Sequence, residues 1–337
     1  MEQGLKIVSL FDGISCGRVA LARAGYAVSS YIAFEIDNFA QSISRYNYPD
    51  IEQHGDVQDA DFSQYTGYDI VLGGSPCNRW SIAKANREVD KSGIGWELFM
   101  RFVKAVQQIK PRYFIYENVA SMPQAIKLYI TDELGVEPVL INSSSVSAQR
   151  RKRLYWTNIN GITQPMDKGI LLKDIIINEK AAREKTYYID NIFQKGNNKK
   201  ALDIGNVKRQ KYNKPAYNKP DSKPIINSPI CVGSLGAGSQ GNRVYSVHGK
   251  TITLMANSGG RGHRVGLYKI DFPDGDYTIR KLLPIEAERC QTLPDDYTAF
   301  GINSKGKIKK ISMTRRYKCI GNAWTVDVIA HILSHMN

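Results

Sequence analysis

The stretch of sequence that decides the fold is LKIVSLFDGISCG, at residues 5–17. A short, mostly apolar run forms a candidate strand, and a turn with two glycines then leads into an amphipathic segment. Similar apolar runs recur downstream, at Tyr31–Phe34, Asp69–Leu72, Tyr113–Tyr116, Val139–Ile141 and Leu154–Thr157. Between them, helices are predicted at Gly17–Ala24, Asn38–Tyr46 and Trp96–Ile109. Strands that alternate with helices predict an α/β fold with a mostly parallel sheet covered on both faces.

The positive charge of the chain is concentrated in one region. The 337 residues carry a formal net charge of +14, and residues 150–230 hold 18 Lys and Arg against 7 Asp and Glu. Such a surface suits a polyanion, of which nucleic acid is the commonest, although a merely solvated basic surface explains the charge equally well. Because residues 195–268 are rich in Asn, Lys, Pro or Gly, we predict two domains. The first comprises residues 1–165 and 280–337, and the second, which is smaller, basic and loop-rich, comprises residues 166–279.

The five cysteines stand at positions 16, 77, 231, 290 and 319, and they include no Cys-x-x-Cys pair. We therefore expect neither a disulfide framework nor a zinc site, and a reducing cytoplasm is the simplest setting. The first residues lack the basic and apolar pattern of a signal peptide, and no apolar run approaches the length of a membrane span. No association with a membrane and no metal are expected.

Acidic residues stand where the second and third strands should end. Glu35 follows the second apolar run, and Asp56 lies in the sequence Gly55-Asp56-Val57. At a strand end, a carboxylate can accept hydrogen bonds from ribose hydroxyls or from an exocyclic amine such as that of adenine. Either acid alone is explained as well by a helix cap or a surface charge, and residues 11–17 by an ordinary tight turn. Together, three such sites at successive strand ends indicate a cofactor that contains a nucleoside.

Three further segments carry candidate reactive side chains. The first is Gly73-Gly74-Ser75-Pro76-Cys77-Asn78, whose cysteine is on a loop and placed to react, although burial is the usual explanation of an isolated cysteine. The second is Glu117-Asn118-Val119, whose carboxyl could act as an acid or hold a ring nitrogen. The third is Gln149-Arg150-Arg151-Lys152-Arg153. In an extended segment Arg151 and Arg153 share a face that would bind phosphate or a carbonyl oxygen, unless the run is a solvated basic stretch.

In this order, these motifs resemble those of the DNA cytosine-5 methyltransferases of bacterial or phage type. The resemblance covers about residues 5–335 and includes Gly321-Asn322-Ala323-Trp324. This motif leads into a helix predicted at Trp324–Ser334, which we expect to pack back on the first domain. It implies an α/β, Rossmann-like, S-adenosylmethionine-dependent methyltransferase sheet with a smaller target recognition domain. Asn78, directly after the cysteine, and Trp324 look more like the eukaryotic de novo enzymes, whereas the retained Asn322 does not.

The resemblance implies a role for each catalytic candidate. Cys77 would add to C6 of cytosine and make C5 nucleophilic enough to attack a sulfonium methyl. Glu117 would hydrogen-bond N3 and the exocyclic amine, and Arg153 would bind the O2 carbonyl. Asn118 would help to fix the geometry, and Arg151 would steady the loop around the nucleophile. The implied methyl donor is S-adenosyl-L-methionine, with S-adenosyl-L-homocysteine as the product.

The resemblance also implies how the cofactor is held. Phe11 would lie against the adenine, Glu35 would take the ribose hydroxyls, and Asp56 would take the adenine amine. The predicted cofactor residues are Phe11, Asp12, Gly13, Ile14, Ser15, Gly17, Glu35, Ile36, Asp56, Val57, Pro76, Leu98, Asn322, Ala323 and Trp324.

Double-stranded DNA is the expected partner, with the target cytosine flipped out of the duplex. Gln240 would fill the gap, Thr253 would support the recognition loops, and Arg243 would read a guanine edge in the major groove. The segment Asn78–Gly95 would close over the base as a lid. The predicted DNA contacts are Ser81, Arg150, Gln240, Arg243, Thr253, Gly259 and Gly260.

Three other interpretations stay open at this point. A transfer RNA cytosine-5 methyltransferase would share the fold, but the glycine-rich residues 231–268 favour DNA, and the Cys-Phe-Thr signature of the RNA-acting relatives is absent. A regulator without activity is disfavoured because Cys77, Glu117 and Arg153 are all present. A nicotinamide-dependent dehydrogenase would account for only about the first 60 residues. We expect a monomer in the cytoplasm of a bacterial or phage-infected cell, with or without a cognate restriction endonuclease.

Overall fold

The computed structural model describes residues 4–82, 86–177, 227–234, 243–256, 266–271 and 277–337. Its largest feature is a seven-stranded sheet with the strand order β3-β2-β1-β4-β5-β7-β6. The strands are β1 (Leu5–Leu10), β2 (Val28–Phe34), β3 (Glu52–His54), β4 (Ile70–Gly73), β5 (Tyr113–Val119), β6 (Val139–Asn142) and β7 (Lys152–Thr157).

The sheet is parallel except at one end. β1 pairs in parallel with β2 and β4, β2 with β3, and β4 with β5, whereas β7 is antiparallel to both β5 and β6. The order of strands reverses between β1 and β4, and the crevice outside the carboxyl ends of such a strand pair is the usual ligand site of an open α/β sheet. The predicted α/β fold with a mostly parallel sheet is confirmed, and the antiparallel end is an addition to it.

The described helices are α1 (Cys16–Arg23), α2 (Asn38–Asn47), α3 (Ile94–Ile109), α4 (Gln124–Leu134), α5 (Pro284–Cys290), α6 (Met313–Asn322) and α7 (Val326–Leu333). In α3, the buried residues Phe99, Phe102 and Val103 recur at helical spacing and face the sheet. Phe102 packs so closely on Gly73 that a Cβ at that glycine would lie 2.6 Å from the ring. The helix ends at Lys110, which has a left-handed φ of 53°.

One apolar core lies on each face of the large sheet. Alternate residues of β1 point to opposite sides, so that Ile7 packs with residues of α1 and α7, and Val8 packs with residues of α3 and α4. The hydroxyl of Tyr26, just after α1, donates to the carbonyl of Leu333 at 3.2 Å. The C-terminal helix therefore packs back on the first domain, as the sequence predicted.

A second, four-stranded sheet lies mostly within residues 166–279. Its strands are β8 (Cys231–Ser234), β9 (Arg243–Ser246), β10 (Leu267–Asp271) and β11 (Tyr277–Arg280), in the order β11-β10-β9-β8. Residues 251–255, which follow β9 closely in sequence, form no strand of this sheet. Only Thr251 pairs, as an isolated bridge with Gln149, because its backbone bonds to Ala148 and Arg150 rather than to a ladder of the small sheet.

A two-stranded hairpin of β12 (Phe300–Ile302) and β13 (Ile308–Lys310) lies over α2. A Cβ at Gly301 would stand 2.5 Å from the hydroxyl of Ser42, so a larger side chain would push the hairpin away from the helix. Among the described helices, none has the length and apolar character required to cross a membrane.

Candidate active site

The predicted site residues gather at one edge of the large sheet. The parallel strands β1, β2, β4 and β5 end at this edge. The loops that leave the first three strands contain the turn after β1, Glu35 and Cys77, and Glu117 lies near the carboxyl end of β5 itself. Because parallel strands share their carboxyl edge, residues far apart in sequence come together without any one loop having to be long.

The turn after β1 has a backbone conformation that few residues adopt. Phe11, Gly13 and Ser15 have φ values of 57°, 62° and 61°, in the left-handed region where residues other than glycine are strained. Asp12 holds the turn, since its carboxylate accepts hydrogen bonds from Ser15 Oγ at 2.5 Å and from the Tyr31 hydroxyl at 2.7 Å. Burial raises the pKa of Asp12, and these hydroxyl donors counteract that shift. Strain that is held in place in this way is common at ligand sites.

Glu35 joins this turn to the end of β2. Its carboxylate accepts from the backbone N–H of Gly13 at 2.8 Å and of Asp37 at 2.7 Å. Burial raises the pKa of Glu35, and the two backbone donors oppose that rise. Beside it, Ile36 is 70% exposed, and farther along the edge Asp56 is also exposed. An exposed apolar side chain in the company of two carboxylates suits a flat heterocycle that bears hydroxyl and amine donors.

Several predicted cofactor residues have buried side chains, so that a ligand at this edge would meet only their backbone: Ile14, Ser15, Val57 and Ala323. Gly17 is explained by packing, because a Cβ there would lie 2.7 Å from Leu72 and 2.9 Å from the Tyr31 hydroxyl. The lack of a side chain lets α1 approach the sheet. Of the remaining positions, Pro76 and Asn322 are exposed and Leu98 is partly buried.

Cys77 begins a short 3₁₀ turn, Cys77–Arg79, directly after the loop that leaves β4. Its side chain is half-buried. By contrast, Cys16, Cys290 and Cys319 are buried, and burial raises the pKa of Cys16 and of Cys319 to about 12. Buried thiols of this kind stay protonated and unreactive near neutral pH. Cys231 is half-buried like Cys77, but it lies in β8 of the four-stranded sheet. Of these cysteines, only Cys77 combines partial exposure with a position at the carboxyl edge of the large sheet.

Glu117 lies at the carboxyl end of β5, with only 11% of its side chain exposed. One carboxylate oxygen accepts from Arg153 Nε at 2.8 Å, and the other accepts from the indole N–H of Trp324 at 3.0 Å. Arg153 is brought there by register, because β7 runs antiparallel to β5 and places Arg153 opposite Val119. An arginine from β7 and a tryptophan from the C-terminal segment thus hold the same carboxylate.

Asn118 connects β5 to the loop that carries the cysteine. It is fully buried, and its side-chain amide donates to the Ser75 carbonyl at 3.2 Å and to the Tyr116 hydroxyl at 3.2 Å. The hydroxyls of Ser75 and Tyr116 are in turn 2.6 Å apart. Since Ser75 stands two residues before Cys77, this buried network fixes the backbone from which Cys77 projects. Sequence reasoning gave no role to Ser75 or Tyr116, although Ser75 lies within the quoted Gly73-Gly74-Ser75-Pro76-Cys77-Asn78 segment and Tyr116 directly precedes Glu117.

Arg151 and Arg153 serve different partners. Arg151 is buried and donates to the carbonyls of Leu254 at 3.0 Å, Gly321 at 3.3 Å and Ala323 at 3.1 Å. Burial, together with the nearby charge of Arg153, lowers the pKa of Arg151 to about 10, and Glu117 and Cys77 partly offset this. Because Arg151 donates to backbone carbonyls, it does not share with Arg153 one face for a phosphate or a ligand carbonyl, and its role in steadying the loop of Cys77 stays a prediction. Arg151 instead ties β7 to the small domain and to the C-terminal motif.

The predicted DNA contacts are only partly described. Arg150 is exposed, and its carbonyl accepts from the hydroxyl of Thr253 at 2.7 Å, so these two residues are neighbours. Ser81 donates its backbone N–H to the Cys77 carbonyl at 3.0 Å, and Arg243 begins β9. Gln240, Gly259 and Gly260 lie outside the described residues.

Lys250 is a supporting residue that sequence reasoning missed. It is fully buried, and its ammonium donates to the carbonyls of Ser144 at 2.7 Å, Ser147 at 3.0 Å and Ile170 at 2.5 Å. Burial lowers the pKa of Lys250, and the charges of Asp167 and Asp174 oppose that shift. No sequence motif could have found it, because its partners are backbone carbonyls from distant segments.

The fold, with ligand-binding groups at the switch point of a sheet of this order, is that of the Rossmann-like S-adenosylmethionine-dependent methyltransferases. Among solved structures, the Entamoeba histolytica methyltransferase EhMeth superposes with a TM-score of 0.64 at 14% identity, over 99% of this chain and 98% of the other. The S. pombe Dnmt2 methyltransferase superposes with a TM-score of 0.65 at 13% identity, over 98% and 97% of the two chains. At these identities, the likeness concerns the fold.

The sequence comparisons define the family. The profile of the C-5 cytosine-specific DNA methylases matches residues 5–337. The Type II methyltransferase M.HhaI of Haemophilus parahaemolyticus is 23% identical over 347 residues, covering 98% of this chain and 93% of that protein. The Type II methyltransferase M.HpaII of Haemophilus parainfluenzae is 26% identical over 356 residues, covering 98% and 88%. The chain belongs to the C-5 cytosine-specific DNA methylase family, and it is a DNA (cytosine-5-)-methyltransferase.

Proposed function

We propose that this enzyme transfers a methyl group from S-adenosyl-L-methionine to C5 of a cytosine flipped out of duplex DNA, with Cys77 as a covalent nucleophile. The observation that carries this proposal is that the loop of Cys77 is fixed to β5, the strand that carries Glu117. The cysteine projects from a loop that Asn118 pins to β5, and the carboxylate that neighbours Asn118 is held by Arg153 and Trp324. A nucleophile and a group able to hold the substrate ring are thus fixed relative to each other.

The proposed chemistry begins at Cys77. The thiolate forms a bond to C6 of cytosine, and the electrons of the C5–C6 double bond make C5 nucleophilic. When bound, S-adenosylmethionine would supply a methyl carbon for C5 to attack, with the methyl–sulfur bond breaking so that S-adenosylhomocysteine leaves as a neutral thioether. Removal of the C5 proton then restores the C5–C6 double bond and breaks the bond between sulfur and C6, which frees Cys77 for another turnover.

Glu117 and Arg153 are proposed to stabilise the ring while Cys77 is attached to it. Glu117 would hydrogen-bond N3 and the exocyclic amine, and Arg153 would bind the O2 carbonyl. Groups that are aimed in advance at the developing charge lower the barrier without the cost of reorganising at the moment of reaction. Asn118 and Arg151 would support these residues without touching the base, because their side chains are buried in contacts with the neighbouring backbone.

The residues at the carboxyl edge fit S-adenosylmethionine as the methyl donor. The strained turn at residues 11–15 offers backbone groups to the ligand, and Glu35 retains acceptor capacity for ribose hydroxyls. Phe11 would lie against the adenine, Ile36, which is 70% exposed, would pack beside it, and Asp56 would accept from its amine. Pro76, Leu98, Asn322 and Trp324 would complete the pocket.

Duplex DNA is the proposed partner, and the net charge of +14 favours association with its phosphates. The cost of flipping a base is a few kcal/mol, which contacts to the extruded cytosine and to the gap would offset. Arg150 and Thr253 lie together near the proposed DNA face, whereas the roles of Gln240, Arg243, Gly259 and Gly260 stay predictions. We further propose a monomer in the cytoplasm of a bacterial or phage-infected cell, either with a cognate restriction endonuclease or as an orphan enzyme.

The substrate is tested by the transfer of tritiated methyl groups to duplex DNA and to transfer RNA, each offered separately. Labelling of DNA at C5 of cytosine, and not of the RNA, is the expected result. Labelling of RNA alone would contradict the proposal and favour a transfer RNA methyltransferase on the same fold. Bisulfite sequencing of DNA from a host that expresses the enzyme then gives the recognised sequence.

A further inference from the structure

Trp324 lies between the start of α1, beside the proposed cofactor turn, and Glu117, which is proposed to hold the base. It lies between α6 and α7, and its indole Nε1 donates to Glu117 Oε2 at 3.0 Å across 207 residues of sequence. Its ring edge is 3.8 Å from where a Cβ on Gly17 would stand, and its Nε1 is 3.3 Å from the equivalent position on Gly74. One side chain therefore extends from the start of α1, beside the cofactor turn, to the carboxylate proposed to hold the base.

The two oxygens of Glu117 have different partners. Arg153 Nε donates to Oε1 at 2.8 Å, and Trp324 donates to Oε2. The terminal torsion of a glutamate is intrinsically broad, so a single donor leaves the carboxyl plane free to turn. Donors on both oxygens, one from β7 and one from the C-terminal segment, fix that plane.

Burial alone does not explain the choice of Glu117 as acceptor. Trp324 is only partly buried, so water could satisfy its N–H. Trp80 in the same chain is fully buried, and its Nε1 makes no hydrogen bond within the described residues. Among the described residues, the fully buried indole N–H of Trp80 thus has no acceptor, while the more exposed indole of Trp324 donates to the carboxylate proposed to bind the substrate.

We propose that Trp324 is a positioning residue for Glu117, in addition to its place in the wall of the cofactor pocket. Its N–H sets the carboxyl plane before the cytosine arrives, and it does not touch the base. This inference rests on the proposed role of Glu117. It follows that removing the N–H while keeping an aromatic ring lowers kcat and leaves binding of the cofactor nearly unchanged.

The first test compares Trp324→Phe with a matched variant, Trp156→Phe. Trp156 also donates its indole N–H at 3.0 Å, to Thr131 Oγ1, but on the opposite face of the sheet from Glu117. Because a hydrogen bond to a charged group contributes more than a neutral one, Trp324→Phe is expected to lower kcat about 10-fold to 100-fold. Trp156→Phe is expected to lower only the thermal midpoint. Calorimetric titration with S-adenosylhomocysteine should give a Kd within about twofold of wild type for both variants.

A double-mutant cycle with Glu117→Gln separates positioning from a general structural role. If Trp324 acts through Glu117, then Trp324→Phe causes no further loss of kcat in the Glu117→Gln background. Additive losses, or a weakened Kd for S-adenosylhomocysteine that accounts for the lower rate, would overturn the inference. If Glu117→Gln instead retains wild-type turnover, the proposed function of Glu117 fails, and that failure is visible in the single variant alone.

Discussion

The buried ion pairs Arg280–Glu286 and Arg153–Glu117 differ in how many hydrogen bonds the carboxylate accepts. At the junction with the small domain, Glu286 accepts two bonds from Arg280, at 2.7 and 2.8 Å. It accepts two more from the backbone N–H groups of Leu283 at 2.7 Å and Ile177 at 3.0 Å. No part of its side chain is exposed. Such a carboxylate is saturated and can only hold the structure together.

Within the part of the chain that the structure describes, Glu117 at the sheet edge accepts two hydrogen bonds, one on each oxygen, and 11% of its side chain is exposed. An ionised carboxylate can accept about four hydrogen bonds, so roughly half of its capacity is left for a substrate. A buried ion pair is therefore structural when its carboxylate has no acceptor capacity left, and it can serve a substrate when part of that capacity faces an open edge.

The largest effect is expected on stability, from Glu286→Gln. The substitution leaves the buried Arg280 charge without this carboxylate, which should lower the free energy of unfolding by about 3–5 kcal/mol. Urea denaturation measures this loss. Turnover per folded molecule should be unchanged, and a large loss of turnover in fully folded protein would contradict a purely structural role for Glu286.

The same exchange at the active site, Glu117→Gln, should give the opposite result. Loss of the carboxylate is expected to lower kcat about 10²-fold to 10³-fold, the magnitude found when one stabilising group of a transition state is removed. The thermal midpoint should stay close to wild type because the site is partly open. Full unfolding of Glu117→Gln under conditions where Glu286→Gln stays folded would contradict the assignment of the two pairs.

A smaller effect on turnover is expected for Asn118→Ala, with Asn158→Ala as the control. Asn118 pins the loop of Cys77 through the Ser75 carbonyl, so its loss should lower the single-turnover rate about 10-fold to 100-fold. Asn158 makes a similar bridge at the other end of β5, to the backbone of Phe114 and Arg112, both at 2.9 Å. Each variant should lose about 1–3 kcal/mol of stability. Equal single-turnover rates in the two variants would show that Asn118 has no special role in the site.

The sheet and most of its site could be predicted from the sequence because each depends on local signals. The apolar runs of β1, β4 and β5 stand directly before the loops that carry the site residues, so one strand assignment also places one motif at the carboxyl edge. By contrast, α4 (Gln124–Leu134) was not predicted, because only Ile126 and Ile130 of its side chains are buried and its apolar periodicity is weak.

The contacts that make the site specific could not be predicted, because they are nonlocal. The bond from Trp324 to Glu117 joins residues 207 apart, and the carbonyls that bind Arg151 lie 103 to 172 residues away. Two nearby residues of one motif also bind different partners, since Arg151 donates to the backbone carbonyl of Leu254 and Arg153 donates to Glu117. A sequence pattern gives the residue types at the edge, whereas packing decides which of them touch.

The most direct test of the account is a covalent trap on Cys77. Duplex DNA copied with 5-fluorocytosine in place of cytosine, from a template that the enzyme methylates, contains the target sequence, and fluorine at C5 blocks the proton removal that releases the enzyme. With S-adenosylmethionine present, we expect an adduct that resists denaturation, and mass spectrometry of its peptides should place the base on Cys77. The Cys77→Ser variant should bind the DNA without forming the adduct. An adduct on another cysteine, or none from an enzyme that methylates ordinary DNA, would contradict the assignment of Cys77 as the nucleophile.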